Sequence, residues 1–177
     1  MEIEQRAGRP ARSRTDAGTT LPVVPSEARG LAGRGDTLSP VASQKLLDTC
    51  ARHGVLAIHL FGSRAEEGLD LLAGGSAERA GSDLDVGVVF AGPNPDHRRL
   101  ASLQVALEAV FEPLRVDLVP VQRVDALFQF AVIEGHRVMV TDSRRADLFE
   151  LHAMRRAAEL LPIQRRIERE LFGVTTR

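Results

Sequence analysis

The sequence predicts an α/β (α+β) fold, in which a small mixed β-sheet is flanked by helices and followed by a C-terminal helical extension. Short apolar runs rich in β-branched residues alternate with longer stretches that carry apolar residues at helical spacing. Glycine and proline separate these segments. The 177 residues, 44% of them hydrophobic, are enough for one core of ordinary size, so we expect a single compact domain.

Composition narrows the range of partners and compartments. A formal net charge of −1 gives no global reason to expect nucleic acid as the main partner. No apolar run approaches the roughly twenty residues that span a bilayer. Cys50 is the only cysteine, which excludes an internal disulfide and favours a reducing compartment. We therefore expect a cytoplasmic protein without a membrane partner.

The N-terminal part of the chain differs from the rest. Residues 1–38 are rich in Arg, Gly, Pro, Ser and Thr and have no periodic apolar pattern, which predicts a disordered tail. A start codon assigned too early and a basic arm that touches a partner would both explain it, and the sequence does not separate them. The main domain is predicted at residues 39–142 and a C-terminal helical segment at residues 143–177.

The first half of the domain is predicted from local signals. Ser39 and Pro40 are typical of an N-cap and a first helical residue, and the helix should end near Gly54. Residues 55–61 follow as a buried strand, and a helix can start after Arg64. A glycine-rich loop then leads to a strand that carries two aspartates.

The second half continues the alternation. The pattern predicts a helix up to Val110, a strand around Asp117, a helix over residues 121–134 and a strand over residues 137–141. A C-terminal helix should begin near residue 142, break at Pro162 and then resume. The part after the break has an apolar stripe, which either packs within the chain or docks a second chain.

The run from Ser82 to Val88 predicts a cation site. In a strand successive side chains point to opposite faces, so Asp83 and Asp85 share one face and Leu84 shares the other with its apolar neighbours. Two carboxylates side by side repel each other unless a cation lies between them. Magnesium is the natural candidate, because it prefers oxygen ligands and is commonly held by one or two carboxylates.

Two further features complete the predicted site. The Gly62-Ser63-Arg64 turn lies between a strand and a helix, where glycine allows close approach and free N–H groups favour phosphate. Asp117 lies in a run expected to be a neighbouring strand. Three carboxylates could hold two metal ions for a displacement at phosphorus, and Asp117 could also take the proton of an attacking hydroxyl.

These residues resemble a known pattern. The nucleotidyltransferase superfamily related to polymerase beta has a similar arrangement, which is matched here by Gly62, Ser63, Asp83, Asp85 and Asp117. The similarity extends over roughly residues 40–172 and is strongest to the minimal nucleotidyltransferase (MNT) proteins that pair with HEPN toxins in prokaryotic toxin-antitoxin modules.

The resemblance implies roles for these residues. The Gly62-Ser63-Arg64 turn would bind the triphosphate of ATP. The aspartates at 83, 85 and 117 would bind Mg²⁺ and act in catalysis. It further implies that AMP is transferred to a tyrosine of a HEPN-type toxin. Two alternatives stay open: a catalytically silent antitoxin that neutralises its partner by binding, and a nucleotidyltransferase that modifies a small molecule such as an antibiotic.

One departure from the family pattern concerns spacing. Nineteen residues lie between Ser63 and Asp83, whereas the minimal family members usually place the two motifs closer together. The additional length is rich in glycine, which indicates a loop above the site. Such a loop could alter access to the site or the choice of acceptor without moving the carboxylates.

Overall fold

The computed structural model describes residues 38–93 and 95–173, so the predicted tail lies outside the described residues except for Leu38. Helices, strands and one short 3-10 helix follow each other in the predicted order. They are α1 (Pro40–His53), β1 (Val55–Phe61), α2 (Ala65–Ala73), β2 (Leu84–Phe90), α3 (His97–Val110), β3 (Val116–Pro120), the 3-10 helix (Val121–Arg123), α4 (Ala126–Ile133), β4 (His136–Val140) and α5 (Ser143–Phe172).

The four strands form one mixed sheet in the order β3-β2-β1-β4. Strand β1 is antiparallel to both β2 and β4, whereas β2 and β3 are parallel. This register places Phe61 of β1 opposite Asp85 of β2, and Asp85 opposite Asp117 of β3. The predicted fold class, a small mixed sheet flanked by helices with a C-terminal helical extension, is confirmed.

Each face of the sheet has its own core. The larger core contains Leu84, Val86 and Val88 of β2 together with buried residues of α1, α2 and α3. The smaller core lies on the opposite face, where Val89 packs with Val132 of α4 and with part of α5. Strand β2 therefore has the predicted alternation, with its apolar stripe buried and Asp85 on the other face.

Capping residues fix the ends of α1. The side chain of Ser39 accepts a hydrogen bond from the backbone N–H of Ala42, and Pro40 is the first helical residue. Gly54 ends the helix in the left-handed conformation, with φ at 64°. Both ends agree with the sequence prediction, because the signals involved act within four residues of the helix end.

The predicted helix over residues 121–134 is wrong in its first part. A 3-10 helix ends at Arg123, and α4 starts only after Asp125. The carboxylate of Asp125 accepts hydrogen bonds from the backbone N–H groups of Leu127 and Phe128. Aspartate is a strong N-cap, so it begins a new helix here and does not continue the previous turn.

The predicted break at Pro162 is also wrong, because α5 continues through it to Phe172. Proline costs about 3 kcal/mol inside a helix, since it cannot donate to the carbonyl four residues earlier. That carbonyl belongs to Ala158, which is exposed, so water can satisfy it. Side-chain pairs one turn apart, Gln164 with Glu168 and Arg166 with Glu170, support the helix beyond the proline.

The distal half of α5 carries apolar side chains that the described residues leave exposed. Among the α5 residues whose burial is described, Ala157 is the last buried one. Beyond it, Ile163, Ile167 and Leu171 are 56%, 48% and 68% exposed, so the described residues do not cover this stripe. Within residues 38–93 and 95–173, none of the helices combines the length and apolar character needed to cross a membrane.

Gly87 tests the packing of α4 on the sheet. A Cβ atom at this position would lie 2.3 Å from Cγ1 of Val132, so Gly87→Ala should lower the free energy of unfolding by about 1–3 kcal/mol through overpacking. Gly92→Ala is the matched control, because no atom lies within 4 Å of its added Cβ. Chemical denaturation measures both variants, and equal losses would contradict the close contact between α4 and β2.

A candidate carboxylate site at one end of the sheet

Asp85 and Asp117 lie side by side on parallel strands. They are direct partners in the β2–β3 register, and partners in a ladder point to the same face of a sheet. Asp85 is partly buried, whereas Asp117 is exposed. The prediction that Asp117 lies on a strand next to the one that carries Asp85 is confirmed.

The Asp85 carboxyl group is electrostatically perturbed. Burial raises its pKa, and the negative charges of Asp117 and Asp83 raise it further. Each of these effects disfavours the ionised form unless a positive charge is present. The site therefore attracts a proton or a cation, as expected for a functional carboxylate cluster.

The Gly62-Ser63 turn lies directly against this carboxylate. Gly62 has φ at 74°, and a Cβ atom built on it would lie 2.1 Å from Oδ2 of Asp85. Glycine is thus required both by the left-handed backbone and by the close approach. Ser63 is exposed beside it, and its Oγ lies 3.4 Å from Oγ of Ser82, at the end of the long loop.

Arg64 fixes the long loop to the turn. Its side chain is buried and donates two hydrogen bonds to the Glu67 carboxylate, one to the carbonyl of Ser82 and one to the carbonyl of Glu78. The hydrogen bond from Arg64 lowers the pKa of Glu67. Four of the five N–H donors of Arg64 are thus engaged within the chain. The nucleotide-binding role that the resemblance implies for Arg64 stays a prediction.

Asp83 differs from the other two aspartates in lying outside the strands. It precedes the first residue of β2, and its Oδ1 lies 2.9 Å from Nη2 of Arg115. That oxygen is buried, yet it receives no hydrogen bond of good geometry. Among the described residues, no three His, Cys, Asp or Glu side chains lie close enough together to hold a metal ion. The predicted trio is therefore not assembled as a set of ligands in this conformation.

A magnesium ion nevertheless fits the donors that are present. Magnesium is commonly bound by one or two protein carboxylates, and phosphate oxygens and water complete its shell. Asp85 and Asp117 supply two carboxylates, and the Asp83 carboxylate, which is paired with Arg115, is an additional donor. The ion pair that holds Asp83 is exposed, with 67% of the Arg115 side chain accessible, so it contributes little and can yield to a cation.

Two aromatic residues border the site. Phe61 immediately precedes Gly62 and lies opposite Asp85. Phe128 of α4 packs against Phe61 nearly perpendicular to it, with ring centroids 5.9 Å apart. The sequence analysis did not identify Phe128, because no local pattern indicates that α4 returns to the end of β1.

A buried polar cluster lies behind the site on the same face. His59 is 1% exposed, and its Nε2 lies 3.4 Å from Oε1 of Glu150 on α5. Arg137 of β4 donates to the same carboxylate. Burial acts to raise the pKa of Glu150, but its close contact with His59 and the charge of Arg137 outweigh burial and lower it. The cluster thus binds α5 to the sheet close to Phe61.

Comparisons with known proteins agree with this architecture. No protein-family model matches the sequence, and neither does any curated protein. Solved structures match: a chain in the crystal structure of a toxin-antitoxin with AMP-PNP has a TM-score of 0.54 at 18% identity, and the match covers 73% of this chain and 97% of that chain.

Two other solved structures give the same result. A chain in the tri-AMPylated Shewanella oneidensis HEPN toxin in complex with MNT antitoxin matches at 16% identity with a TM-score of 0.53, covering 74% of this chain and 96% of that chain. A chain in the toxin-antitoxin MntA-HepT matches at 16% identity with a TM-score of 0.53, covering 75% and 98%. The chain therefore shares its fold with chains of MNT–HEPN structures, as the sequence resemblance predicted.

Replacing Asp85 tests the electrostatic conflict in the site. Its raised pKa means that the folded protein binds a proton more tightly than the unfolded chain, so stability falls as the pH rises between the ordinary and the raised pKa. Without divalent cations at neutral pH, Asp85→Asn should therefore raise the midpoint of thermal unfolding, by roughly 2–4 °C for each kcal/mol of repulsion removed.

Magnesium should stabilise the wild type but not this variant. The matched control is Asp70→Asn, which changes an exposed aspartate on α2 and should leave both the midpoint and its response to magnesium unchanged. Thermal unfolding of all three proteins with and without magnesium measures this. An Asp85→Asn variant that magnesium still stabilises would contradict the assignment of Asp85 as a cation ligand.

Neighbouring glutamates on α2 test the attachment of the loop. Glu67→Gln removes the charge that pairs with Arg64, so the loop over residues 74–83 should open more often, and trypsin should cleave after Arg79 several times faster. Glu66→Gln is the control, because that side chain is 82% exposed and does not contact Arg64. Equal cleavage rates in the two variants would show that Arg64 does not hold the loop.

Proposed function

We propose that the protein is a cytoplasmic, magnesium-dependent nucleotidyltransferase that transfers AMP from ATP to a tyrosine of a HEPN-type toxin and so acts as its antitoxin. The close approach of Gly62 to Asp85 carries this proposal. It puts a turn suited to phosphate beside a carboxylate that needs a cation. AMP-PNP and an AMPylated HEPN toxin, which occur in the structural neighbours, support the nucleotide and the acceptor.

Different residues of the site would bind the triphosphate and the magnesium ion. The backbone of Gly62 and Ser63, with the Ser63 hydroxyl, would bind the triphosphate, and N–H groups in the first turn of α2 lack helical acceptors and can assist. Asp85 and Asp117 would hold the magnesium ion. Asp83 would become a third ligand after its ion pair with Arg115 breaks. Bound magnesium neutralises charge on the phosphates and so favours displacement at phosphorus.

Asp117 is the residue suited to accept the proton of the attacking hydroxyl. It is exposed, so an acceptor side chain on another protein can reach it. The tyrosine oxygen forms a bond to the α-phosphorus of ATP, the bond from that phosphorus to the pyrophosphate breaks, and the tyrosine proton goes to Asp117. The products are AMP-tyrosine and pyrophosphate.

One observation favours a second candidate, a catalytically silent antitoxin that acts by binding. Asp83 is paired with Arg115, and the described residues contain no group of three metal-binding side chains. In such a protein the exposed apolar stripe of α5 would contact the toxin, and the carboxylates would be dispensable.

Intact mass spectrometry separates these functions. The purified protein is incubated with magnesium, ATP and a HEPN-type partner, and the intact mass of each chain is then measured. We expect the partner to gain one or more AMP masses, and we expect the Asp83→Asn/Asp85→Asn double variant and chelation of magnesium to abolish the gain. An Asp48→Asn/Asp70→Asn double variant, which changes two exposed aspartates on helices, controls for charge.

The outcomes are distinct for each function. Unchanged labelling by the Asp83/Asp85 double variant would overturn the roles of these carboxylates. A wild-type protein that forms a stable complex without adding mass would favour the silent antitoxin. Loss of labelling together with loss of the complex would point to misfolding of the variant, which far-ultraviolet circular dichroism detects.

A further inference from the structure

A groove opens between α4 and the distal half of α5. It has a volume of about 760 Å³, which is within the range of small-molecule sites. Phe128 and Phe130 line it on α4, and Leu161, Gln164 and Arg165 line it on α5. The groove is open to solvent and combines apolar and aromatic surface with polar and charged groups, among them Asp125 and Glu134.

One residue of the groove contacts an aromatic side chain at the border of the carboxylate site. Phe128, which lines the groove, packs against Phe61 with ring centroids 5.9 Å apart. Phe61 lies opposite Asp85 and precedes Gly62, whose backbone touches the Asp85 carboxylate. Phe61 thus connects the residues of the carboxylate site to Phe128 at the edge of the groove.

Phe128 is unusually exposed for a ring at such a position. It is 42% exposed, whereas Phe90 and Phe111 are 5% and 0% exposed in the larger core. Its perpendicular contact with Phe61 fixes the ring but leaves much of its surface uncovered. A fixed and partly exposed aromatic ring is the kind of surface on which nucleic acid bases stack.

We propose that Phe128 is the platform for the base of the nucleotide and that the groove between α4 and α5 receives that base. This inference rests on the proposed function, because it assumes that the triphosphate lies at Gly62 and Ser63. Stacking is tolerant of base identity, since every base has a π-face. Phe128 thus favours nucleotides over inorganic triphosphate and does not itself distinguish adenine from guanine.

Phe128→Trp tests the inference directly. The chain has no tryptophan and no tyrosine, so this substitution introduces the only indole fluorophore and preserves an aromatic platform. We expect ATP with magnesium to quench its fluorescence and inorganic triphosphate with magnesium to leave it unchanged. Val105→Trp is the control: Val105 is 67% exposed on α3, which packs on the opposite face of the sheet, so ATP should not alter its signal.

Calorimetry with Phe128→Leu gives a second readout. Losing the aromatic face should weaken ATP binding by about tenfold. The affinity for inorganic triphosphate should not change, and Phe128→Tyr should restore ATP binding.

Two results overturn the inference in different ways. If the wild type binds ATP, but Phe128→Leu binds it equally tightly and Phe128→Trp is not quenched, the platform is wrong and the proposed function stands. If the wild type binds neither ATP nor inorganic triphosphate in the presence of magnesium, the proposed function fails and the platform fails with it. A groove that instead accepts a helix of a partner protein would give the first of these results.

Discussion

The position of Asp85 between two paired strands is the constraint on which the rest of the site depends. Strand β2 is hydrogen-bonded on both sides, so Asp85 faces Phe61 across one ladder and Asp117 across the other. Folding forces these carboxylates together although burial and mutual repulsion oppose it. The fully buried residues Leu84 and Val86 offset this cost from the other face of the same strand.

The elements that were predicted correctly are those whose signals are local. Ser39, Pro40 and Gly54 mark the ends of α1 within a few residues, and the alternation of elements along the chain was enough to put Asp117 beside Asp85. The errors have causes of other kinds. Over residues 121–134 the apolar spacing is compatible with one continuous helix, and the N-cap hydrogen bonds of Asp125 start a new helix instead.

Side-chain partners in the site could not be predicted because they are distant in sequence. Arg64 bonds to carbonyls at Glu78 and Ser82, and Asp83 pairs with Arg115, which lies beyond the whole of α3. The long loop nevertheless returns to the Gly-Ser turn, because loop-closure entropy increases only slowly with length and Arg64 ties the loop at two points. The nineteen residues between Ser63 and Asp83 are thereby accommodated with Gly62 still against Asp85.

The parallel pairing of β2 and β3 has a consequence for when the site can exist during biosynthesis. A parallel pair cannot form as a hairpin, so β3 must wait for α3 to cross over the sheet before it aligns with β2. Pairings between strands that are distant in sequence form late, because the chain loses conformational entropy before the new contacts stabilise it. A nascent or truncated chain that ends before β3 would have the Gly-Ser turn and Asp85 but would lack Asp117. The pair of Asp85 and Asp117 is therefore complete only after β3 has aligned with β2.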